Sequence, residues 1–302
     1  MAIVDVVKFR GSKGIKNVGD ELDTSAPYLR EAGNVDIDDA GLLSMRDGTG
    51  PVKIAGDSKS LWNTADRSLA LAVIGGNLVA ANLKAGTTTT IRTGVGTSTM
   101  GYVEVNNQVY YSNAQVYGFI ENMADGTFPA LSKIGGSRMT PGSIIEHHAG
   151  RNFTCVGGLI RYTAYLDYGR TNLRKDFREY PGEVTMFAAV SDGVFLSYGN
   201  TTVFLIGSGH PNDFVVKEVA DYGVIPGTVK KFDASLVSSN TPLQGTAVYW
   251  ESTKGPCIGF QGGLMINQAL TKYEPPHTGN TGATIIRQNR KGFMQALTLI
   301  EY

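Results

Sequence analysis

Apolar and polar positions alternate over short stretches along most of the chain, and the period is two rather than three and a half. Runs rich in Val, Ile, Thr, Tyr and Phe are broken by Gly, Asn and Asp. These residues suit a pleated, half-buried surface, and runs of this length between turn residues predict β-strands. One pattern recurs: an apolar run, a tight turn, a second run and often a third. Its copies are LALAV-IGGN-LVAANL with TTTTIRT, GYVEV-NN-QVYYSN with AQVYGFIEN, RNFTCV-GG-LIRYTAYL, TMFAAV-SDG-VFLSYGN with TTVFLIG, and TAVYWE-STKG-PCIGF with QGGLMINQA. The turn pairs Asn106-Asn107, Gly157-Gly158 and Asp192-Gly193 suit primed turns, which need positive φ. Helical signals are sparse. Ser25 can cap a short turn that begins at Pro27, and 169–180 reads as a further turn or a long loop.

Successive up-and-down sheets predict an all-β chain, a β-propeller of about five blades. The alternative is a tandem of β-sandwiches, which more often carries long crossovers between non-adjacent strands. Residues 1–50 read as an N-terminal arm ending in the hairpin NVDIDDAGLLSMRDG. Residues 51–302 read as the propeller, closed by a C-terminal hairpin, ATIIRQ-NRKG-FMQALTLI. The first run of several copies is small: Ala70, Ala72 and Val73, then Ala188, Ala189 and Val190, then Ala247 and Val248. That is expected where strands converge on a crowded axis.

Composition narrows the function classes. Lys+Arg and Asp+Glu are 27 each, so the formal net charge is zero, which excludes a polybasic nucleic-acid clamp and an acidic tail. Near neutrality removes the repulsion that keeps copies apart, which favours a place in an assembly. Gly reaches 38 of 302 residues without a collagen period. Cys155 and Cys257 lie in apolar runs, with no CxxC and no zinc-ligand spacing, and read as buried reduced thiols. Asp5 interrupts the only candidate h-region of a signal peptide. The most apolar stretch, 69–83, holds Gly75, Gly76, Asn77 and Asn82 and is too short to span a bilayer, so no membrane anchor is expected.

Candidate chemistry is thin. Asp36, Asp38 and Gly41 stand at the first, third and sixth positions of an EF-hand-like loop. However, Ala40 and Asp47 occupy the fifth and twelfth, and the flanks read as strands, so a hairpin turn explains DIDDAG better than calcium does. Glu146-His147-His148 is the one His cluster. Neighbours in a strand point to opposite faces, so the imidazoles diverge, and the expected setting is a polar edge beside the Pro141-Gly142 turn. There is no GxSxG elbow and no Cys/His pair at a recognisable spacing. No catalytic residue, cofactor or metal is expected, and the chain reads as a non-enzyme. A propeller glycosidase or lactonase remains open, since any of the 27 acids could converge at a funnel. The stretch RTNLRKDFRE (170–179) is either a phosphate-contacting loop or a solvated one with local ion pairs. Tyr162, Tyr165 and Tyr168 read as packing and interface residues rather than a base-stacking platform.

The most specific feature is L-x-x-A-x-N-V-D-I-D-x-x-G-x-L-x-x-R-x-G, from Leu29 to Gly48. It resembles the opening of β-propeller virion proteins of tailed bacteriophages, especially the nozzle-like proteins of short-tailed phages. The residues that carry the resemblance are Asn34, Val35, Asp36, Ile37, Asp38, Gly41, Leu42, Arg46 and Gly48, and beyond residue 50 it is architectural only. The resemblance implies a structural tail protein, made in the bacterial host cytoplasm and located in the virion. It implies a homo-oligomer, a hexameric ring below the portal and its head-to-tail adaptor, in contact with other tail proteins. Genome DNA would pass through that ring without sequence-specific binding. Tyr110, Tyr111 and Tyr117, if exposed, would serve subunit contacts. The alternative from another class is a glycan-binding propeller or tail-fibre module that recognises the host surface.

Overall fold

The structure is a computed structural model, and it describes residues 35–37, 43–45, 56, 58–64, 69–82, 85–131, 136–237, 244–268, 280–288 and 294–301. A short hairpin, β1 (Val35–Ile37) and β2 (Leu43–Met45), comes first. Five four-stranded antiparallel sheets follow among the described residues. Sheet I is β3 (Ser58–Asn63), β4 (Ala70–Ile74), β5 (Asn77–Asn82) and β6 (Thr87–Arg92). Sheet II is β7 (Gly101–Val105), β8 (Gln108–Ser112), β9 (Tyr117–Glu121) and β10 (Ala124–Asp125). Sheet III orders β12 (Ile144–His148), β13 (Arg151–Val156), β14 (Leu159–Tyr162) and β16 (Phe177–Glu179), while β11 (Ser137–Arg138) and β15 (Arg170–Thr171) form a separate pair. Sheet IV is β17 (Val184–Val190), β18 (Gly193–Tyr198), β19 (Thr201–Ile206) and β20 (Val215–Ala220). Sheet V is β21 (Lys230–Asp233), β22 (Thr246–Ser252), β23 (Gly255–Phe260) and β24 (Leu264–Asn267). A last hairpin joins β25 (Thr281–Gln288) to β26 (Met294–Glu301).

Each sheet packs on the next. Leu71, Val73 and Leu78 of sheet I share a cluster with Val109, Tyr111 and Ile120 of sheet II. The other face of sheet II, with Val103 and Val105, meets Ile145 of sheet III. Phe153, Cys155 and Ile160 of sheet III face Phe187, Val194 and Leu196 of sheet IV. Phe195 and Phe204, on the reverse of sheet IV, pack on Val248, Trp250 and Cys257 of sheet V. Burial of each of these large side chains is worth roughly 1.5–3 kcal/mol. Sheets II, III and IV therefore bury both faces in succession, the stacking of blades in a β-propeller. A tandem of sandwiches would instead pair sheets two by two and leave each an open face. Ala247, Tyr249 and Phe260 lie on the remaining face of sheet V. There the last hairpin docks, through Gly282 N donating to Pro226 O at 2.8 Å and through Thr298 beside Tyr249 and Glu251.

Several sequence expectations need correction. Asn106 and Asn107 turn with φ of 50° and 64°, as a primed turn requires, and Gly157 has φ 57°. Ser191 and Asp192 are the turn residues of β17–β18, however, and neither Asp192 nor Gly193 has positive φ. Gly193 is needed for space, because a Cβ there would lie 2.4 Å from Leu205 O. Tyr110 and Tyr111 are buried between sheets, and Tyr117 stacks on Phe128, so none of the three is an exposed subunit contact. Their rings face neighbours because the central strands β8 and β9 are covered on both sides. Of the small-residue runs, only Ala188–Val190 lies on a first strand. Ala70–Val73 and Ala247–Val248 lie on second strands, behind β3 and β21. The turn predicted after Ser25 lies outside the described residues.

Candidate functional site

The first strands of the successive sheets approach one another. β12 lies against β7 on one side and β17 on the other. Together with β21 they line an open funnel of about 690 Å³ whose polar lining includes Glu104, Glu146, His147, His148, Lys231 and Asp233.

Glu146 is the centre of this site. It is 5% exposed, on the face of β12 turned towards sheet IV. Its Oε1 accepts from its neighbour His147 N at 2.8 Å and from Lys231 Nζ at 2.7 Å, and its Oε2 accepts from Ala189 N at 3.2 Å. One carboxylate thus ties sheets III, IV and V together across the funnel. A buried carboxylate is tolerated when its lone pairs are met in this way. Ala189 is small enough to let the carboxylate reach the backbone of β17, which is what a small residue on a first strand permits.

The two imidazoles diverge, as the strand period requires. His147 Nδ1 lies 2.9 Å from Asn152 Oδ1 and its ring meets the edge of Tyr168, while His148 Nε2 lies 2.7 Å from Gly207 O and its ring meets Phe214. Burial pulls the His147 pKa below its ordinary value, which favours the neutral ring. β12 is an edge strand of sheet III, as expected beside the Pro141-Gly142 turn, but that edge faces the funnel and not open solvent, and Glu146 and His148 are buried. Asp233 accepts from Ser235 N at 2.9 Å, and that bond holds its carboxyl below the usual range. Among the described residues no three His, Cys, Asp or Glu side chains are grouped to hold a metal.

Of the sequence-predicted motif, Val35, Asp36 and Ile37 form β1, and Asp36 pairs with Ser44 across the hairpin. Asn34, Asp38, Gly41, Leu42, Arg46 and Gly48 lie outside the described residues. In the basic stretch, Arg170 Nε reaches Asp167 Oδ2 at 2.8 Å, Asp176 Oδ2 accepts from Asn172 N at 2.7 Å, and Arg178 Nη1 donates to Pro211 O at 3.0 Å. Arg170 and Arg178 thus bond within the chain, whereas Arg174 and Lys175 are exposed. Tyr162 is buried and Tyr168 packs on Tyr110, whereas Tyr165 is exposed. Both cysteines are buried free thiols.

Sequence reasoning missed Lys231, because KKF carries no motif and Glu146 lies 85 residues away. It also missed a second polar centre, Tyr249 donating to Glu251 Oε1 beside Thr298. A third joins sheets I and II, where Arg92 Nη1 donates to Tyr111 Oη at 2.9 Å and that hydroxyl donates to Asp125.

No protein-family model and no curated protein matches the chain. Among solved structures, it is similar to the extracellular domain of a hybrid two-component system from B. thetaiotaomicron, at 8% identity and TM-score 0.49, covering 85% of this chain and 35% of that one. It is also similar to a chain of the S. cerevisiae Dbp5–Nup159–Gle1 structure, at 9% identity and TM-score 0.46, covering 81% and 76%. A third similarity is to regucalcin from Agrobacterium tumefaciens, at 10% identity and TM-score 0.42, covering 75% and 76%. The chain spans about a third of the first of these proteins. Identities and scores this low carry nothing about its activity. No helix among the described residues is long and apolar enough to cross a membrane.

Proposed function

We propose that the chain is a structural component of a bacteriophage tail, a nozzle-like protein whose five four-stranded sheets are the blades of one propeller. Copies of it assemble as a ring, hexameric by the resemblance at residues 29–48, below the head-to-tail adaptor. Genome DNA passes through the ring, and the protein resides in the virion. The observation that carries this reading is how the funnel's central charge is spent. Glu146 accepts from Lys231 and from two backbone N–H groups, so it welds three sheets together instead of facing a substrate. The same fate befalls Arg170, which bonds Asp167, and Arg178, which donates to Pro211 O. A conduit should not retain DNA, since every phosphate neutralised adds salt-dependent affinity, and a formal net charge of zero suits that demand.

The test is to raise antibodies to the purified chain and label virions, with negative-stain imaging of the isolated protein beside it. Gold at the tail and ring-shaped particles are expected. A chain absent from particles, found only in the host lysate, ends this reading. A glycan-recognising propeller is the second reading, and Tyr165 favours it. Its ring is 63% exposed next to Leu166, whose φ of 55° is a strained conformation for a leucine. A glycan array with saturable hits that Tyr165→Ala abolishes would transfer the assignment to it.

A further inference from the structure

The connection from β14 to β16 leaves sheet III at the end that also carries the β12–β13 turn, whose Ala149 lines the funnel. It forms two tips. In the first, Tyr165 is 63% exposed and Leu166 59%. Leu166 N donates to Gly150 O at 2.8 Å, and Ala164 and Asp167 form a bridge around it. These contacts hold Leu166 at φ 55°, a costly region for leucine that Asn or Gly enters more freely. Strain of this kind persists where the surroundings over-determine it, and it gathers at ligand-binding segments. Here it also presents an apolar side chain to water, so turn geometry alone does not explain the leucine. In the second tip Leu173 is 40% exposed. Asn172 organises that tip: its Oδ1 accepts from Arg174 N at 3.1 Å, and its N donates to Asp176 Oδ2 at 2.7 Å. Single exposed apolar residues are ordinary. Three on two held tips at one end of a sheet make a patch.

Cations surround both tips. Arg174 and Lys175 are exposed beside Leu173. Arg161 Nη1 donates to Leu173 O at 3.1 Å, and Arg151 Nη1 donates to Thr163 O at 2.6 Å. The Arg151 guanidinium also lies 5.7 Å from the Tyr162 ring and 5.8 Å from the Tyr165 ring. Ion pairs among the described residues join Arg92 to Asp125, Arg170 to Asp167 and Lys231 to Glu146, so these four cations have no carboxylate partner. The acid within the second tip, Asp176, is used by Asn172 N. A chain of zero net charge thus gathers unpaired cations around its apolar tips.

We propose that this end of sheet III docks on an anionic membrane surface, with Tyr165, Leu166 and Leu173 entering the headgroup layer and Arg151, Arg174 and Lys175 facing lipid phosphates. Attachment of this kind needs apolar side chains to bury and cations to meet the anionic lipid, and no spanning segment. Nucleic acid or an acidic glycan would use the cations but would leave two leucines in water. A neutral glycan would use Tyr165 but neither the leucines nor the unpaired cations. The membrane surface is the partner that uses all three features together. The inference goes beyond the tail reading and does not rest on it, since it concerns the single chain.

The experiment floats the full chain with vesicles of phosphatidylcholine alone and with vesicles that also contain phosphatidylglycerol. Binding is expected to the second kind, and it should weaken as salt rises. Arg174→Ala combined with Lys175→Ala should weaken it about twenty-five-fold, at about five-fold for each cation near an anionic surface. Leu173→Ser and Leu166→Asn should each weaken it about ten-fold, the lower end for a large apolar side chain left in water. Asn suits positive φ, so Leu166→Asn should melt no lower than wild type, and the melting temperature of every variant separates lost binding from lost fold. Tyr165→Trp reports position: its emission, taken as the difference from wild type, should shift to the blue on anionic vesicles and be quenched by lipids brominated in their acyl chains. Dextran sulfate, a polyanion without an apolar layer, should bind far more weakly than the vesicles. No binding to anionic vesicles, leucine variants that bind as wild type does, an unshifted emission, or dextran sulfate bound as tightly as the vesicles each overturns the proposal. A glycan-array signal without vesicle binding would give this end of sheet III to the glycan reading instead. The virion labelling above is scored separately, so failure of the tail reading and failure of membrane docking are told apart.

Discussion

Lys231 reaches Glu146 from across the funnel, and its loss leaves a buried carboxylate with two backbone donors. The ammonium is 40% exposed and the carboxylate 6%, so the pair lies between a surface bridge and a buried one. Surface pairs contribute little, whereas breaking a buried pair is costly, so Lys231→Met should cost about 1–3 kcal/mol. Urea unfolding should show this as a lower midpoint with an unchanged slope. An unshifted midpoint would mean that the backbone donors alone hold the carboxylate. Glu251 makes the opposite prediction. Burial raises its pKa above the ordinary 4.5, with the Tyr249 and Thr298 hydrogen bonds pulling it partly back. A folded-state pKa above the unfolded one means that the folded protein holds the proton more tightly. The stability linked to that proton is complete below the ordinary value and is lost as pH rises through the raised one. Glu251→Gln cannot ionise, so its melting temperature relative to wild type should climb between acid and neutral pH. A constant difference over that range would sink the assignment.

At the scale of elements, the joint between sheets II and III turns on Gly142. Ser112 Oγ both donates to Gly142 O and accepts from Gly142 N, at 2.9 Å each. A Cβ at Gly142 would lie 2.7 Å from Cys155 O and 2.8 Å from Cys155 N, which are backbone atoms with nowhere to move. Gly142→Ala should therefore destabilise by roughly 2 kcal/mol or more, the range of an overpacked core. Thermal unfolding against wild type measures it, and a loss below a few tenths would mean that β12 and β13 can part freely. In sequence this glycine reads as a turn residue after Pro141, because proximity to a strand distant in the chain leaves no local trace. The same limit runs through the fold. Runs such as LVAAN and TMFAAV are legible because both faces are buried and the residues are apolar. β3 (SKSLWN), β20 (VVKEVA) and β21 (KKFD) are not, since they lie at sheet margins and keep charged or polar residues exposed. The His cluster was legible as diverging rings from the strand period alone. Its neighbour Glu146 was not, because its partners come from two other sheets, and the pairing of sheets is written in no local pattern.

The whole molecule is a relay of sheets in which II, III and IV each depend on two neighbours, and that arrangement predicts how it comes apart. Each of the four boundaries from sheet I to sheet V shares an apolar cluster, so none of these sheets can leave without exposing its neighbour's core. Cys155 in sheet III and Cys257 in sheet V report on two places along the relay. Burial raises both thiols, Cys257 to about 11 and Cys155 further, so at neutral pH neither is a thiolate while the protein is folded. Cys257 is additionally held among Ser252 Oγ at 3.6 Å and Gly255 O at 3.5 Å. Both should ignore an aromatic disulfide reagent under native conditions and become labelled together, with a midpoint in urea equal to that of circular dichroism. Mass spectrometry of each labelled peptide along the urea series reads the two sites separately. If sheet V were a loosely held end, Cys257 would label at lower urea than Cys155, since local opening exposes only the element that opens. The Glu146–Lys231 tie argues against such an end, because it fastens β21 of sheet V to β12 of sheet III without passing through sheet IV. In Lys231→Met, therefore, the two labelling midpoints should separate, with Cys257 moving first; coincident midpoints in both proteins would mean that the apolar clusters alone make the relay cooperative.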